Sequence, residues 1–377
     1  MADPGELAIG TWSGGRFLRF GEAVDEERLV RLLRPHEPIR TVLTADVYGR
    51  GEADRLLGRA LQGVPRDEYC AVGAIGHDFY SGEREGARGY PRFTDRGLRG
   101  ERDYAAYLRM ATERSLERCG VGRFDVLLLH NPDRVGYTSE AVWDGLSALR
   151  DAGLTRLVGV APGPANGFTL DLIECFERFG TEIDWAMIIL NPLEPWPGEL
   201  CLRAARAHGV EVITRVVDYG GLFWDDVVPG HRFPPGDHRS FRPDGWVAAG
   251  RERLERMRPL GERHGLTPIQ LACAWNLSHE GVACAVPTLI QEPGAGARPI
   301  EDKRAELADL PPGTRLSADE VAAVRAIGDN TGSMVLKGAS PDHDGPPRPD
   351  RWPLTDALAS LGRRWGIEPE RDLRRAA

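Results

Sequence analysis

The sequence predicts a (β/α)8 barrel with long βα loops and a C-terminal extension. Eight short apolar runs alternate with segments of helical periodicity, which is the pattern of repeated parallel βα units. An open doubly wound sheet is the alternative, but no G-x-G-x-x-G fingerprint follows the first run, which argues against it. The eight runs predicted to be strands are Leu7–Ile9, Thr41–Thr44, Tyr69–Val72, Val126–Leu129, Leu157–Val160, Ala186–Leu190, Val212–Val217 and Val282–Val286.

Amphipathic segments separate these runs. Apolar residues recur in them at intervals of three and four, which places them on one face of a helix. Such helices would pack outside the strands, in keeping with strand-like runs that are apolar on both faces. The predicted helices are Glu26–Leu33, Ala53–Leu61, Tyr104–Cys119, Ser139–Arg150, Leu170–Phe179, Leu200–Ala207 and Trp246–His264.

The composition of the chain changes beyond Lys337. Ser340–Pro353 is rich in proline, glycine and aspartate, so it is predicted to be a linker. Leu354–Trp365 is predicted to form one amphipathic helix. We therefore expect a barrel at residues 1–337, followed at residues 338–377 by a Pro-rich linker and a C-terminal helical tail.

Composition and charge narrow the class of partner. The chain has 377 residues, of which 41% are hydrophobic, and a net charge of -9 without any basic block, which argues against nucleic acid. No apolar run is long enough to span a membrane, and the N-terminus lacks the regions of a signal peptide. The six cysteines are widely spaced, so we expect buried free thiols and a cytoplasmic, reducing location. The expected partner is a small molecule, and the oligomeric state stays open.

Two long loops follow predicted strands. Phe79–Arg102 is rich in glycine, whereas Tyr219–Pro243 carries several aromatic and histidine side chains. Loops of this length at a barrel mouth are usually functional. The aromatic content of the second loop favours a lid over the substrate, and a solvated surface insertion is the alternative.

Two strand ends carry candidate catalytic side chains. His130 follows the buried run Val126–Leu129, and chemistry in a parallel barrel is placed at the carboxyl ends of the strands. His130 is therefore either a catalytic residue or a core histidine whose hydrogen bonds are satisfied. The Gly-rich turn Thr44–Gly49 closes the second run and would place the phenol of Tyr48 at the same mouth.

These two strand ends resemble the motifs of the aldo-keto reductase superfamily. That family shows D-T-A-x-x-Y-G-x-G-x-S-E-x-x-L-G-x-A-L at the second strand and D-x-x-x-x-H-x-P-D at the fourth. Here the matching stretches are Thr44–Leu61 and Asp125–Asp133, and the resemblance spans the chain from Leu7 to Leu307. It implies a (β/α)8 barrel whose mouth normally binds NADPH and a carbonyl substrate.

The resemblance supplies only half of the family's catalytic tetrad. The family's tyrosine acid matches Tyr48, and its carbonyl-orienting histidine matches His130. The family's aspartate and lysine, which lower the pKa of the tyrosine, fall on Leu43 and Ala74. A phenol with a pKa near 10 is a poor acid at neutral pH without a cation beside it. The sequence therefore lacks the two residues that lower the pKa of the tyrosine in the family.

The resemblance also predicts altered nicotinamide contacts. The family's Ser-Asn, glutamine and stacking aromatic fall on Ala161-Pro162, Met187 and Arg215, and the Pro-Gly of the eighth strand becomes Pro287-Thr288. The adenine-side pair falls on Asp302 and Lys303, which remain the candidate cofactor contacts. No cofactor is therefore predicted outright, and NADP is the one that the resemblance leaves open.

The predicted mouth of the barrel carries additional polar side chains. The candidate substrate-binding residues are His77, Asp78, Trp196, Arg215 and Asp218, which follow the third, sixth and seventh runs. Ionisable groups of this kind suit a polar, oxygen-rich substrate such as a sugar or keto-sugar. As alternatives, His77 lies on a surface loop, Trp196 is a packing residue, or Arg215 and Asp218 pair only with each other.

Three hypotheses for the function remain. The first is a cofactor-independent enzyme that promotes enolisation, elimination or isomerisation of a polar carbonyl or carbohydrate-like substrate. In it His130 is a base or oxyanion donor, Tyr48 an acid or hydrogen-bond donor, and Arg215 an anion clamp. The second is a divergent NAD(P)H-dependent reductase or sugar dehydrogenase with His130 as the acid, and the third is a non-catalytic ligand-binding barrel. No metal site is predicted, because no H-x-x-x-H or similar spacing occurs.

Overall fold

Eight parallel strands form one sheet in chain order in the computed structural model, which describes residues 4–85, 89–163, 168–332 and 350–373. A parallel bridge joins Leu7 to Ala285, and the N–H of Ala285 donates to the carbonyl of Glu6 at 2.8 Å, so the sheet closes on itself. The predicted barrel is therefore confirmed. The strands are β1 (Ala8–Gly10), β2 (Thr41–Leu43), β3 (Cys70–Ile75), β4 (Phe124–His130), β5 (Thr155–Ala161), β6 (Trp185–Ile189), β7 (Glu211–Arg215) and β8 (Val282–Val286).

Helices surround the strands, and the seven predicted ones are confirmed with boundary shifts of one or two residues. Asp25 caps the first helix by accepting the N–H of Arg28 at 2.8 Å, and Gly120 ends the third in a left-handed conformation. The helices are α1 (Glu26–Leu33), α2 (Glu52–Leu61), α3 (Tyr104–Cys119), α4 (Arg134–Thr138), α5 (Glu140–Asp151), α6 (Thr169–Phe179), α7 (Leu202–Ala207), α8 (Trp246–Arg263), α9 (Pro268–Leu277), α10 (Ile300–Ala308), α11 (Ala318–Ile327), α12 (Asp356–Arg364) and α13 (Pro369–Asp372).

The strands separate two apolar layers. Along β4, Val126 and Leu128 pack inside the barrel, whereas Leu127 and Leu129 pack outward with the helices. Successive strand side chains point to opposite faces, so a strand buried on both sides must be apolar throughout. The inner layer fills the barrel, and a cavity lies at the carboxyl ends of the strands.

The seventh strand ends earlier than its apolar run predicts. The run continues to Val217, but β7 stops at Arg215 because Val216 adopts φ 60°. A β-branched residue rarely takes this conformation. The side-chain amide of Asn191 donates to the carbonyl of Val216 at 3.1 Å and supports the turn. The turn directs the following loop across the mouth of the barrel.

The C-terminal segment packs on the outside of the barrel. The predicted helix at Leu354–Trp365 is present as α12. Trp352 anchors the segment, since its Nε1 donates to Asp171 at 3.0 Å and its ring lies 4.8 Å from that of Phe168. The predicted boundary between residues 337 and 338, with most of the linker, lies outside the described residues. Within the described ranges, no helix has both the length and the apolar character needed to cross a membrane.

Candidate active site

A cavity of about 630 Å³ opens at the carboxyl ends of the strands. Both long loops contribute to its wall, through Tyr90 from the loop after β3 and through Phe241 and Arg242 from the loop after β7. A cavity of this size suits a small organic ligand. The side chains at the strand ends that line it include Trp12, Tyr48, His77, His130, Met187, Arg215 and Thr288.

Tyr48 and His130 meet at the floor of this cavity. Their ring centroids lie 5.7 Å apart, with the planes almost perpendicular at 84°. A tight turn after β2 places the phenol, with the N–H of Tyr48 donating to the carbonyl of Ala45 at 3.0 Å. Burial raises the pKa of Tyr48, and the nearby Arg215 opposes that change only in part. The phenol therefore stays protonated at neutral pH and acts as a hydrogen-bond donor.

His130 is a neutral imidazole on the last residue of β4. Burial lowers its pKa well below the ordinary 6.5, and the electrostatic interaction with His77 and the positive charges of Arg215 and Arg92 lower it further. Its Nδ1 has no hydrogen-bond partner among the described residues. A neutral imidazole offers one donor and one acceptor, so His130 retains hydrogen-bonding capacity for a ligand.

His77 lies beside His130, with 5.3 Å between the ring centroids. The side-chain amide of Asn131 donates to Nε2 of His77 at 3.1 Å, so we assign the proton to Nδ1, which donates to the carbonyl of Tyr90 at 2.9 Å. Burial first, and then Arg92, lower the pKa of His77 to about 3. The surface alternative is therefore wrong for His77, and its contact with substrate remains a prediction.

An apolar pair occupies the positions of the family's aspartate and lysine. Leu43 at the end of β2 and Ala74 on β3 are 1% and 5% exposed, and both belong to the inner layer of the barrel. Because neither side chain carries charge, the phenol of Tyr48 has no ion pair beneath it at these positions. Arg215 is the cation that acts on the phenol instead, and it does so from β7.

Arg215 and Asp218 line the cavity but do not pair with each other. Nη2 of Arg215 donates to the carbonyl of Pro162 at 3.1 Å and to that of Gly163 at 2.7 Å. Asp218 accepts the N–H of Gly221 at 2.9 Å and that of Thr288 at 2.8 Å. The alternative of a mutual bridge is therefore wrong, and Asp218 joins the loops after β7 and β8.

Two predicted substrate contacts need correction. Asp78 is fully buried, accepts the N–H groups of Tyr80 and Ser81, and pairs with Arg99, so it stabilises the loop after β3. Trp196 is 2% exposed, and its Nε1 donates to the carbonyl of Asp372 at 2.5 Å. Neither residue lines the cavity. Trp196 holds the C-terminal segment instead, as the packing alternative proposed.

The predicted cofactor contacts Asp302 and Lys303 also lie away from the cavity. Lys303 is fully buried, where Nζ donates to the carbonyl of Ile290 at 2.5 Å and pairs with Asp226. Asp302 lies on the exposed side of α10. A buried ammonium that already has partners is unavailable to a ligand, so the prediction is wrong for Lys303 in the conformation described, and it stays a prediction for Asp302.

A buried ion-pair cluster, which no sequence pattern predicts, joins the loops after β7 and β8. Arg239 is 1% exposed and bridges Asp237 at 2.8 Å and Glu292 at 2.5 Å. His231 lies 3.0 Å from the same Glu292. These residues come from two different loops, so only the fold brings them together. No group of three or more potential metal ligands occurs in the described part of the chain.

Comparisons with known proteins agree with the motifs. The chain matches the model of the Aldo/keto reductase family over residues 6–292. It is 24% identical over 284 residues to versiconal hemiacetal acetate reductase of Aspergillus parasiticus, covering 69% of this chain and 78% of that protein. It is 28% identical over 155 residues to D-threo-aldose 1-dehydrogenase of a Pseudomonas species, where the alignment covers 37% of this chain and 47% of the relative.

Solved structures share the fold. The glycerol dehydrogenase of Gluconobacter oxydans superposes with a TM-score of 0.65 at 23% identity, covering 85% of this chain and 90% of that one. An aldo/keto reductase of Klebsiella pneumoniae in complex with NADP and acetate gives a TM-score of 0.57 at 19% identity, covering 88% and 94%. With the family model matching most of its length and the barrel closed around Tyr48 and His130, the chain belongs to the aldo/keto reductase family.

Proposed function

We propose that the chain is an enzyme that binds a polar carbonyl or carbohydrate-like compound and polarises its carbonyl oxygen between Tyr48 and His130. The observation that carries this proposal is the edge-on pair of these rings, 5.7 Å apart, at the floor of the cavity. The phenol has an O–H to donate, and the neutral imidazole has one donor and one acceptor. Fixed donors aimed at a carbonyl oxygen stabilise the negative charge that develops there in a reaction.

The chemistry that we propose for this pair is proton transfer. His130 would remove a proton from the carbon next to the carbonyl. The electrons of the broken C–H bond form a C=C bond, and those of the C=O bond move to oxygen. Tyr48 would donate a hydrogen bond to that oxygen, and the positive charge of Arg215 would favour it. Return of the proton to another carbon completes an isomerisation, and loss of a leaving group completes an elimination.

The residues present do not fit the nicotinamide that the family normally binds. The stacking position holds Arg215, whose guanidinium is hydrogen-bonded to the carbonyls of Pro162 and Gly163. Pro162 replaces the family's asparagine and has no side-chain amide. Lys303 is buried in an ion pair with Asp226. On these contacts we propose a reaction that proceeds without a nucleotide.

The second candidate is NADP-dependent reduction of a carbonyl compound. The relatives favour it, because those reported above are named as a reductase and dehydrogenases, and one solved structure holds NADP. In this case His130 would deliver a proton to the carbonyl oxygen. A third candidate, a non-catalytic binding barrel, predicts that Tyr48→Phe and His130→Ala change only affinity.

A thermal-shift titration with NADPH and NADH separates the first two candidates. A ligand at a hundredfold its Kd stabilises a protein by about 2.7 kcal/mol, which is a measurable rise in Tm. We expect no shift with either nucleotide. A saturable shift would overturn the cofactor-independent proposal and favour the reductase, and loss of any measured turnover in Tyr48→Phe would exclude the binding barrel.

A further inference from the structure

The cavity has the opposite charge to the chain as a whole. The chain carries a net charge of -9, yet five arginines and one carboxylate are found among the described side chains of the cavity wall. The arginines are Arg50, Arg84, Arg215, Arg239 and Arg242. A pocket lined by one sign of charge concentrates ligands of the opposite sign.

The carboxylate in this wall does not balance the arginines. Asp218 is occupied by the N–H groups of Gly221 and Thr288. Of the five arginines, Arg239 alone is paired with carboxylates among the described residues, namely those of Asp237 and Glu292. Buried Glu194, which does not line the cavity, partly offsets the charges of Arg215 and Arg242, and the positive charge that remains is available to a ligand.

Arg242 is held in place by aromatic rings and forms no ion pair among the described residues, although the buried carboxylate of Glu194 interacts with its charge. Its guanidinium lies 4.3 Å from the ring centroid of Tyr219 and 4.7 Å from that of Trp246, although the residue is only 7% exposed. Its Nη1 has no hydrogen-bond partner in the described structure. Stacking on aromatic rings orients a guanidinium and leaves its edge free for planar oxyanions.

Arg215, at the start of the same loop, is held by main-chain carbonyls. Two main-chain carbonyls hold its Nη2, and its Nε has no partner among the described residues. Arg215 forms no ion pair among the described residues, and the buried Glu194 offsets its charge only in part, since burial still lowers the pKa of Arg215. Charged groups removed from water need a compensating charge or hydrogen bonds. A bound oxyanion would supply that compensation.

The cavity wall also contains aromatic side chains. Trp12, Phe17 and Phe20 line the side of the cavity formed by the loop after β1, and Phe241, which is 54% exposed, lies at its rim. Aromatic faces pack against the apolar C–H faces of sugars, while polar groups bind the hydroxyls. The wall therefore combines aromatic side chains that can pack against a polyol with arginine side chains that can bind an anion.

We infer that the substrate is an anion, a sugar-like carbonyl compound that carries a carboxylate or phosphate group held by Arg215 and Arg242. This inference rests on the proposed function, since it names the class of compound that is presented to Tyr48 and His130. Guanidinium groups bind carboxylates and phosphates through paired, charge-assisted hydrogen bonds, so both anions share the required chemistry.

Isothermal titration with matched sugars tests the inference. Glucuronate and glucose 6-phosphate supply the two anions, glucose is the neutral counterpart, and inorganic phosphate tests the anion alone. We expect one or both anionic sugars to bind more tightly than glucose, with binding weakened by salt. Arg242→Gln and Arg215→Gln should each weaken it by about ten- to a hundredfold, the effect of losing a charge-assisted hydrogen bond.

The matched control is Arg256→Gln, which removes the same charge from the exposed side of α8. It should leave the affinity for the anionic sugar unchanged. Equal affinity for glucose and both anions, or unchanged binding in both cavity variants, would overturn the inference. So would an NADP⁺ affinity that falls in Arg242→Gln while sugar binding does not, because the arginines would then serve a nucleotide phosphate.

Failure of this inference is distinguishable from failure of the proposed function. Tyr48→Phe removes the carbonyl donor but no positive charge, so it should retain binding of the anionic sugar. If neutral sugars are turned over and Tyr48→Phe abolishes that turnover, the proposed function stands and the anion inference is wrong.

Discussion

Nη2 of Arg215 donates to the main-chain oxygen of Gly163 at 2.7 Å, and this contact links the end of β7 to the loop after β5. The contact holds the guanidinium of Arg215 near the floor of the cavity. There its positive charge lowers the pKa of both Tyr48 and His130. In the family's pattern the cation beside the tyrosine comes from the third strand. Here an apolar residue, Ala74, takes the place of that cation, and a different cation, Arg215, acts on the phenol from the end of β7.

Removing the hydroxyl of Tyr48 should abolish most of the activity without unfolding the protein. Tyr48→Phe deletes the donor but keeps the ring that contacts His130, so kcat/KM for a turned-over carbonyl compound should fall by about 10²–10⁴. The control is Tyr69→Phe, since Tyr69 lies next to the start of β3, at the opposite end of the barrel from the cavity. Equal rates for wild type and Tyr48→Phe would remove the phenol from the mechanism.

The family's aspartate and lysine should each destabilise the protein less at positions 43 and 74 when the other is present. Leu43→Asp or Ala74→Lys alone places an unpaired charge in the inner layer of the barrel and should lower the unfolding free energy by about 3–5 kcal/mol. The double variant should lose less than the sum of the single losses, because the two charges neutralise each other. Urea denaturation of the three variants measures this coupling, and strictly additive losses would contradict it.

The stability of the protein should fall as the pH falls below about 6.5, the ordinary pKa of histidine. Burial lowers the pKa of His77 to about 3, so the folded state keeps it neutral while the unfolded chain takes up a proton. The stability that this residue contributes is complete above about pH 6.5 and is lost as the pH falls towards about 3, by up to about 1.4 kcal/mol per pH unit. His130 shifts stability in the same direction.

Urea unfolding over this range, in wild type and in His77→Gln, checks the pH prediction. Glutamine cannot be protonated, so the variant should lose the part of the slope that corresponds to one proton. A variant whose stability depends on pH as steeply as that of wild type would show that His77 is not the group responsible.

Trp196→Phe should destabilise the chain while leaving catalysis unchanged. The variant loses the hydrogen bond from Nε1 to the carbonyl of Asp372, which is worth about 1 kcal/mol net. Trp196 does not line the cavity, so kcat and KM should stay at the wild-type values. Limited proteolysis should release the C-terminal segment faster in the variant. A changed KM would return Trp196 to the site.

The fold could be predicted because its elements are encoded locally. The apolar runs on both faces of strands such as β4, and the spacing of apolar residues in helices such as α3, follow directly from burial. The position of Tyr48 and His130 followed from the ends of those runs and from the family's motifs. The boundary of β7 could not be predicted, because the positive φ of Val216 depends on a hydrogen bond from Asn191, on another strand end.

The candidate site was harder to predict beyond the strand ends. His77 faces the cavity and its neighbour Asp78 does not, since adjacent residues point in opposite directions as the chain leaves a strand. Trp196 lies on a longer connection whose path the sequence does not define. Arg242 was missed for the same reason: its role depends on Tyr219 and Trp246, which surround it only in the folded loop.

The buried bridge from Arg239 to Asp237 and Glu292 makes one side of the entrance rigid. Parting the loops after β7 and β8 would separate Arg239 from its two carboxylate partners and expose charged side chains that are now out of contact with water. The loop after β1 is tied to the same cluster, because the N–H of Gly21 donates to Asp237 at 2.8 Å. We therefore expect this side of the entrance to keep its shape when a ligand binds.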